Sequence, residues 1–293
     1  MNDILPFPTH TLPHLGSILV SGTDARDYLQ GQLSFDMARL TPGRIELATC
    51  NSAQGRVQAV LWMIERSDGI ALILPAELVD AIVTRLRKYT LRSRVRIESG
   101  AGRIALGGSW DETRVEAPRS HIERDGTSFV RWHGVPARTL VVAPAAVPMQ
   151  DDTTALHSWR IADIRAGLPQ VWLQTHESFV AQMLNVDLLE GISFEKGCYT
   201  GQEIIARTHF RGTVKRRMFR FGARCSPPVP GTRVLAGDTH AGDVVDAAMT
   251  AEGAELLAVV SLQQADAALR LDSTADSELT RLSLPYEVTS REG

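Results

Sequence analysis

Residues 193–212 read SFEKGCYTGQEIIARTHFRG and bring a thiol, a lysine, a Gln-Glu pair and a histidine into one short stretch. Cys198 lies between Gly197 and Gly201, with Lys196 before it and Gln202 and Glu203 after it. Such a thiol can be a nucleophile, a metal ligand, part of a binding surface, or a small packed residue in a turn, since free cysteine is commonly buried. Thr200 and Glu203 have the spacing of a capping box, in which the hydroxyl accepts from the N3 amide and the carboxylate reaches back to the cap's own N–H. This predicts a helix from Gly201 that carries Ile204, Ile205 and His209 and ends at Gly212. Cys198 then precedes the positive end of a helix dipole, close in sequence to Lys196, and both effects favour thiolate over thiol. Gly197 and Gly201 leave room for a ligand, or for a dihedral that other residues resist. A Cys-His hydrolase is disfavoured: His209 stands at the far end of the helix, and GCYTG does not match the G-x-S-x-G elbow.

The remaining chain must position this stretch. At 293 residues it is long for one core, so two or three packed units are expected. With 44% hydrophobic and 22% charged residues it reads as globular, and a net charge of -3 argues against a general nucleic-acid coat or a membrane-surface binder. No segment approaches the length of a membrane span. Met1 to Pro13 is broken by Pro6, Pro8 and Pro13 and lacks a basic leader, so a cytoplasmic protein is expected. Cys50, Cys198 and Cys225 include no C-x-x-C pair and fall short of four cluster ligands, so neither a zinc site nor an iron-sulfur cluster held by one copy is expected.

Strand signals appear at SILVSG, RIELATC, RVQAVLWMIER, IALILP and RVRIE. Thr23 or Asp24 caps a short helix through Tyr28 and Leu29, and Leu78, Ile82, Leu86 and Tyr89 form the stripe of a second helix that covers the sheet. RIALGG, SFVRW and ARTLVVAP read as further strands, and a helix is predicted over Thr153 to Arg165, ended by Gly167 and Pro169. Past Gly212, VKRRMFRFGA, RVLAGD, AGDVVDAAM, LLAVVSL and LPYEV suggest an all-β terminal unit, read as a barrel.

The string KGCYTGQE, Lys196 to Glu203 and so including Tyr199, resembles the motif of the YgfZ family, folate-binding proteins related to the T-protein (aminomethyltransferase) of the glycine cleavage system. DYLQGQLSFD, SAQGRV, LRKYTLRSRV, QMLNVDLLEGISF and ARTHFRGTVKRR extend the likeness over most of the chain; it thins over 100–150 and in the last seventy residues, and Ala181 stands where relatives are expected to have proline. The resemblance implies an α+β fold: two ferredoxin-like-type α+β lobes, roughly 1–100 and 101–212 and able to interleave, followed by a small C-terminal β-barrel over 213–293. It also implies a tetrahydrofolate or related folate as ligand, in a central channel. The implied role is support of iron-sulfur enzymes, including ones that modify transfer RNA, with iron-sulfur assembly proteins or client enzymes as partners.

Against the T-protein itself, Gln58 and Ala59 fall where its acidic pair is expected, and Arg165 of RAGLP falls where a glutamate is expected to hold the pterin edge. A side chain that cannot ionise cannot handle a proton there, so aminomethyl transfer reads as lost. A pterin wants a carboxylate or amide for its amino-pyrimidine edge and a flat wall. Trp159 and Trp172 are the wall candidates, though aromatics more often fill cores. Gln202, Glu203 and Gln58 are the edge candidates, and Arg207, four residues after Glu203, is an anion-site candidate. Arg211, Lys215, Arg216, Arg217 and Arg220 continue a basic run whose later members read as strand residues facing water. Direct RNA binding is disfavoured because no aromatic platform accompanies these charges in sequence. Folate binding, a folate-dependent aminomethyltransferase and an RNA binder are the three functional readings, in that order.

Overall fold

The computed structural model describes residues 5–110, 117–272 and 277–288. Strand β1 (His10–Thr11) precedes β2 (Leu15–Ser21) and helix α1 (Ala25–Gln30). Then come β3 (Ile45–Asn51), β4 (Val57–Arg66), β5 (Gly69–Pro75), α2 (Val79–Lys88) and β6 (Arg96–Ser99). The middle of the chain holds β7 (Ile104–Ser109), β8 (His121–Arg124), β9 (Thr127–Trp132), β10 (Arg138–Pro144), α3 (Thr153–Arg165) and α4 (Gln202–Phe210). The last part holds β11 (Arg216–Ala223), β12 (Arg233–Ala236), β13 (Thr239–Thr250), β14 (Gly253–Ser261), β15 (Leu269–Leu271) and β16 (Glu278–Leu282).

The fold is α+β. One sheet has the order β3-β4-β5-β2-β6, a second the order β1-β7-β10-β9-β8, and β11-β14-β13-β12-β15-β16 close into a barrel. Strands β4 and β5 are near-continuous apolar runs buried on both faces, and their hairpin register pairs Trp62 with Ile73 and Ile64 with Ala71. Leu78, Ile82 and Leu86 bury one stripe of the α2 region against this sheet, whereas Tyr89, expected on that stripe, is 51% exposed. Asp152 caps α3 by accepting from the Thr154 and Ala155 amides, and Gly167 follows its end at φ +66°.

One continuous core joins residues of both sheets with Met218, Val245 and Leu257 of the barrel strands, while Phe221, Val244, Leu256 and their neighbours fill a second core in the barrel. Two short barrel strands, β15 and β16, went unread in the sequence. The expected strand LPYEV is instead an irregular tail after β16, and the Tyr286 hydroxyl donates to the Gly167 carbonyl at 2.8 Å, tying that tail to the end of α3. Among the described residues no helix is long and apolar enough to cross a membrane.

Candidate functional site

Lys196 is buried, contrary to a solvated charge or a partner for the thiol. Its Nζ donates to three main-chain carbonyls, Gln30 at 2.6 Å and Leu33 and Phe35 at 2.8 Å, and lies 4.9 Å from the centre of the Tyr199 ring. Burial pushes its pKa down to about 8, with the charge of Asp36 opposing, so it is protonated at neutral pH. The lysine therefore fastens the 193–201 loop onto the link between α1 and β3. Amide bonds from Ser193 to the Ser34 carbonyl and from Thr200 to the Gly31 carbonyl fasten it further. Tyr199 is buried beneath the loop, and Cys198 is exposed on it, beside open space at Gly197.

The capping box predicted for Thr200 and Glu203 does not form. Helix α4 starts at Gln202, and its cap is Gly201, which lies in the left-handed region at φ +83° without a side-chain cap. The reason is packing. A Cβ on Gly201 would stand 2.6 Å from the Ser52 carbonyl oxygen, and one on Gly55 would stand 2.8 Å from the Ile204 Cβ. Two glycines thus let the β3–β4 turn sit directly against the start of α4.

A cleft of about 540 Å³ opens where the β9–β10 hairpin, the end of α3, β11 and the 283–286 tail meet. Arg165 and Arg220 line it. Arg165 holds Glu255 at 2.6 Å through Nη2 and at 3.1 Å through Nε, and Arg220 reaches the same carboxylate at 2.9 Å. Two guanidiniums share one carboxylate, which leaves one positive charge over. Burial would raise the Glu255 pKa, but the hydrogen bonds and charges of the two arginines win and hold it below the usual range. Leu168, Leu189, Leu284 and Pro285 give the cleft an apolar wall. His133, also on its lining, meets the Trp62 ring at a 45° tilt with ring centres 4.5 Å apart; burial, aided by Arg119 and Arg138, pushes its pKa down to about 4.

The other predicted residues are divided among separate places. Trp159 is 1% exposed, with the Arg138 guanidinium 4.4 Å over its ring, and belongs to the core. Trp172 is half-buried beneath Arg160 at 5.6 Å. Ala59 is buried, while Gln58 donates through Nε2 to the Glu177 carboxylate at 2.7 Å. Glu203 and Arg207 share a cleft on the outer face of α4, and Gln202 accepts from the Tyr199 amide at 3.3 Å. Of the folate candidates, Arg165 lines the cleft between the end of α3 and β11. Sequence reasoning missed Glu255, Glu177 and His133 as site residues. Their partners lie far off in the chain, so no local pattern could have shown them.

The later arginines correct the reading as a water-facing strand. Arg217 is fully buried and bonds Asp187 at 2.6 and 2.9 Å, Arg220 holds Glu255, and Arg216 faces Asp243 at 3.9 Å.

No protein-family model matches the chain. Among solved structures, it resembles the crystal structure of glycine cleavage system aminomethyltransferase T from Bartonella henselae, with a TM-score of 0.74 and 14% sequence identity over 95% of this chain and 85% of that one. What the two share at that identity is the fold.

Proposed function

We propose that the protein is a YgfZ-like binder of a reduced folate that supports iron-sulfur enzymes and does not itself transfer aminomethyl groups. The observation that carries this reading is an aminomethyltransferase fold in which Gln58 and Ala59 occupy the positions expected for acids, combined with a KGCYTGQE loop that presents Cys198 to solvent. On this reading the chain divides near residue 212 into a folate-binding part and the barrel, and the folate cleft takes Arg165 from the first and Arg220 and Pro285 from the second.

The cleft beside Arg165 suits the carboxylate-bearing half of a folate. Arg165 and Arg220 would hold the glutamyl carboxylates, and Leu168, Leu189 and Pro285 would cover the benzoyl ring. The pterin edge is served less well, because the residues lining the cleft include no carboxylate or amide side chain. A bound reduced folate would supply a one-carbon carrier; the chain's own residues would orient it and exclude water. Cys198 would act outward, toward a partner.

A second reading, aminomethyl transfer, is favoured by one contact. Glu177 puts a carboxylate 2.7 Å from Gln58, next to the place where the acid is expected. Incubation with tetrahydrofolate and an aminomethyl donor separates the two: no methylene-tetrahydrofolate above background supports the binder, and steady formation abolished by Glu177→Gln supports the enzyme. In cells, Cys198→Ala is expected to fold normally and impair iron-sulfur enzymes; unimpaired enzymes would remove the partner role.

A further inference from the structure

The basic run beyond Cys198 falls into two classes. Arg216, Arg217 and Arg220 face carboxylates, as described, whereas Arg207, Arg211 and Lys215 are exposed and make no ion pair among the described residues. Arg207 and Arg211 lie one turn apart at the end of α4 and line a cleft of about 370 Å³ with Phe210 and Glu203. Two cations thus line this cleft with one carboxylate.

Beside them is an aromatic group that the sequence did not reveal. His209 lies flat on Phe194, with ring centres 3.7 Å apart and planes 12° apart, and Phe210 meets His209 edge-on at 4.7 Å. Folding normally draws such a ring inward, yet Phe210 is 67% exposed. It separates the cationic cleft from a second one of about 420 Å³, which Phe194 and His209 line together with Arg39 and the carboxylates Asp187, Glu190 and Glu195; Asp187 and Glu190 are already paired, with Arg217 and Arg119.

We propose that this face binds a single-stranded RNA segment, with phosphates on Arg207 and Arg211 and a base against the Phe210, His209 and Phe194 rings. A cationic track beside exposed aromatic rings is the combination that holds single strands, since every base offers a stacking face. The exposed Glu195 adds an acceptor suited to the amino edge of a base. An acidic protein segment would use the cations but leave the rings and the Glu195 carboxylate without a purpose. The proposal is independent of folate binding, because the cleft beside Arg165 uses other residues.

The test is fluorescence anisotropy of the full chain with a labelled single-stranded RNA of about 20 nucleotides, across roughly 50 to 200 mM salt. Expected is saturable binding with a log–log salt slope of about -1.4, from two cations at roughly 0.7 each. Phe210→Ala should weaken binding about five- to a hundred-fold without changing the slope, and Arg211→Gln should make the slope shallower by about 0.7. Both side chains are exposed, so neither change threatens folding. No binding at about 100 µM protein, or binding that Phe210→Ala leaves intact, would overturn the proposal. So would a poly-glutamate peptide that binds more tightly than the RNA, which would mark the face as a dock for an acidic protein.

Discussion

Replacing Lys196 with methionine keeps the length of the side chain and removes the ammonium that three carbonyls share. The Leu33 and Phe35 carbonyls are buried at 2.8 Å from Nζ, so the variant leaves them unpaired, at about 1–3 kcal/mol each. The Gln30 carbonyl is only partly buried, and water can replace its bond. Against this loss stands the cost of burying the charge. The fall of the lysine pKa from 10.5 to about 8 corresponds to roughly 3 kcal/mol, which the variant no longer bears. The two carbonyls together cost about 2–6 kcal/mol, so the net change lies between about 1 kcal/mol of gain and about 3 kcal/mol of loss.

The pH dependence gives a sharper reading. Between about 8 and 10.5 the unfolded lysine holds more proton than the folded one, so this group's contribution to stability grows as pH rises through that window. Urea unfolding of both proteins at several values between pH 7 and 10 should therefore show the wild-type advantage widening with pH, by up to roughly 3 kcal/mol. A gap that stays constant or narrows as pH rises would refute the account of how the loop is fastened.

Four further outcomes are expected. Gly201→Ala should destabilise by more than about 1 kcal/mol, since it combines a positive φ with a Cβ placed 2.6 Å from the Ser52 carbonyl oxygen; a neutral result in thermal unfolding would show that the turn can move. Cys198→Ala should leave Tm within about 1 °C of wild type, because the side chain is exposed; a larger drop would make the cysteine a packed residue. His14 and His133, each pushed by burial to a pKa of about 4, bind fewer protons folded than unfolded, so their contributions are present above pH 6.5 and lost toward pH 4. Asp246, raised by burial to about 6, works the other way over the same range, and two histidines outweigh one aspartate; Asp246→Asn should thus lose more stability than wild type between pH 7 and 4, as urea titrations would register. Glu255→Gln should cost about 1–3 kcal/mol by leaving Arg165 and Arg220 without their shared carboxylate, and unchanged unfolding would show that those ion pairs are idle.

Elements with strong local signals were legible. The end of α3 follows from Gly167 and Pro169, and the β3 to β5 strands follow from their turn residues. The Thr200 box misled because its spacing is a local cue, whereas the true cap is decided by Ser52 and Gly55, which fold against it from the β3–β4 turn. The role of Lys196 had no readable trace, since its partners are main-chain carbonyls, which any residues at 30, 33 and 35 would provide. Arg217 reads as a solvated strand residue until Asp187, thirty positions earlier, is folded beside it. The cleft beside Arg165 depends on Glu255, ninety positions from Arg165, and the stacked group on α4 depends on Phe194 meeting His209. Side chains with several possible partners are assigned by tertiary structure.

The most direct test of the folate reading is a calorimetric titration of the full chain with tetrahydrofolate, beside an Arg165→Ala variant. The account predicts saturable one-to-one binding that weakens about tenfold or more in the variant, the loss of a charge-assisted contact of roughly 1.5–3 kcal/mol. No binding by the wild type, or equal binding by both proteins, would contradict it.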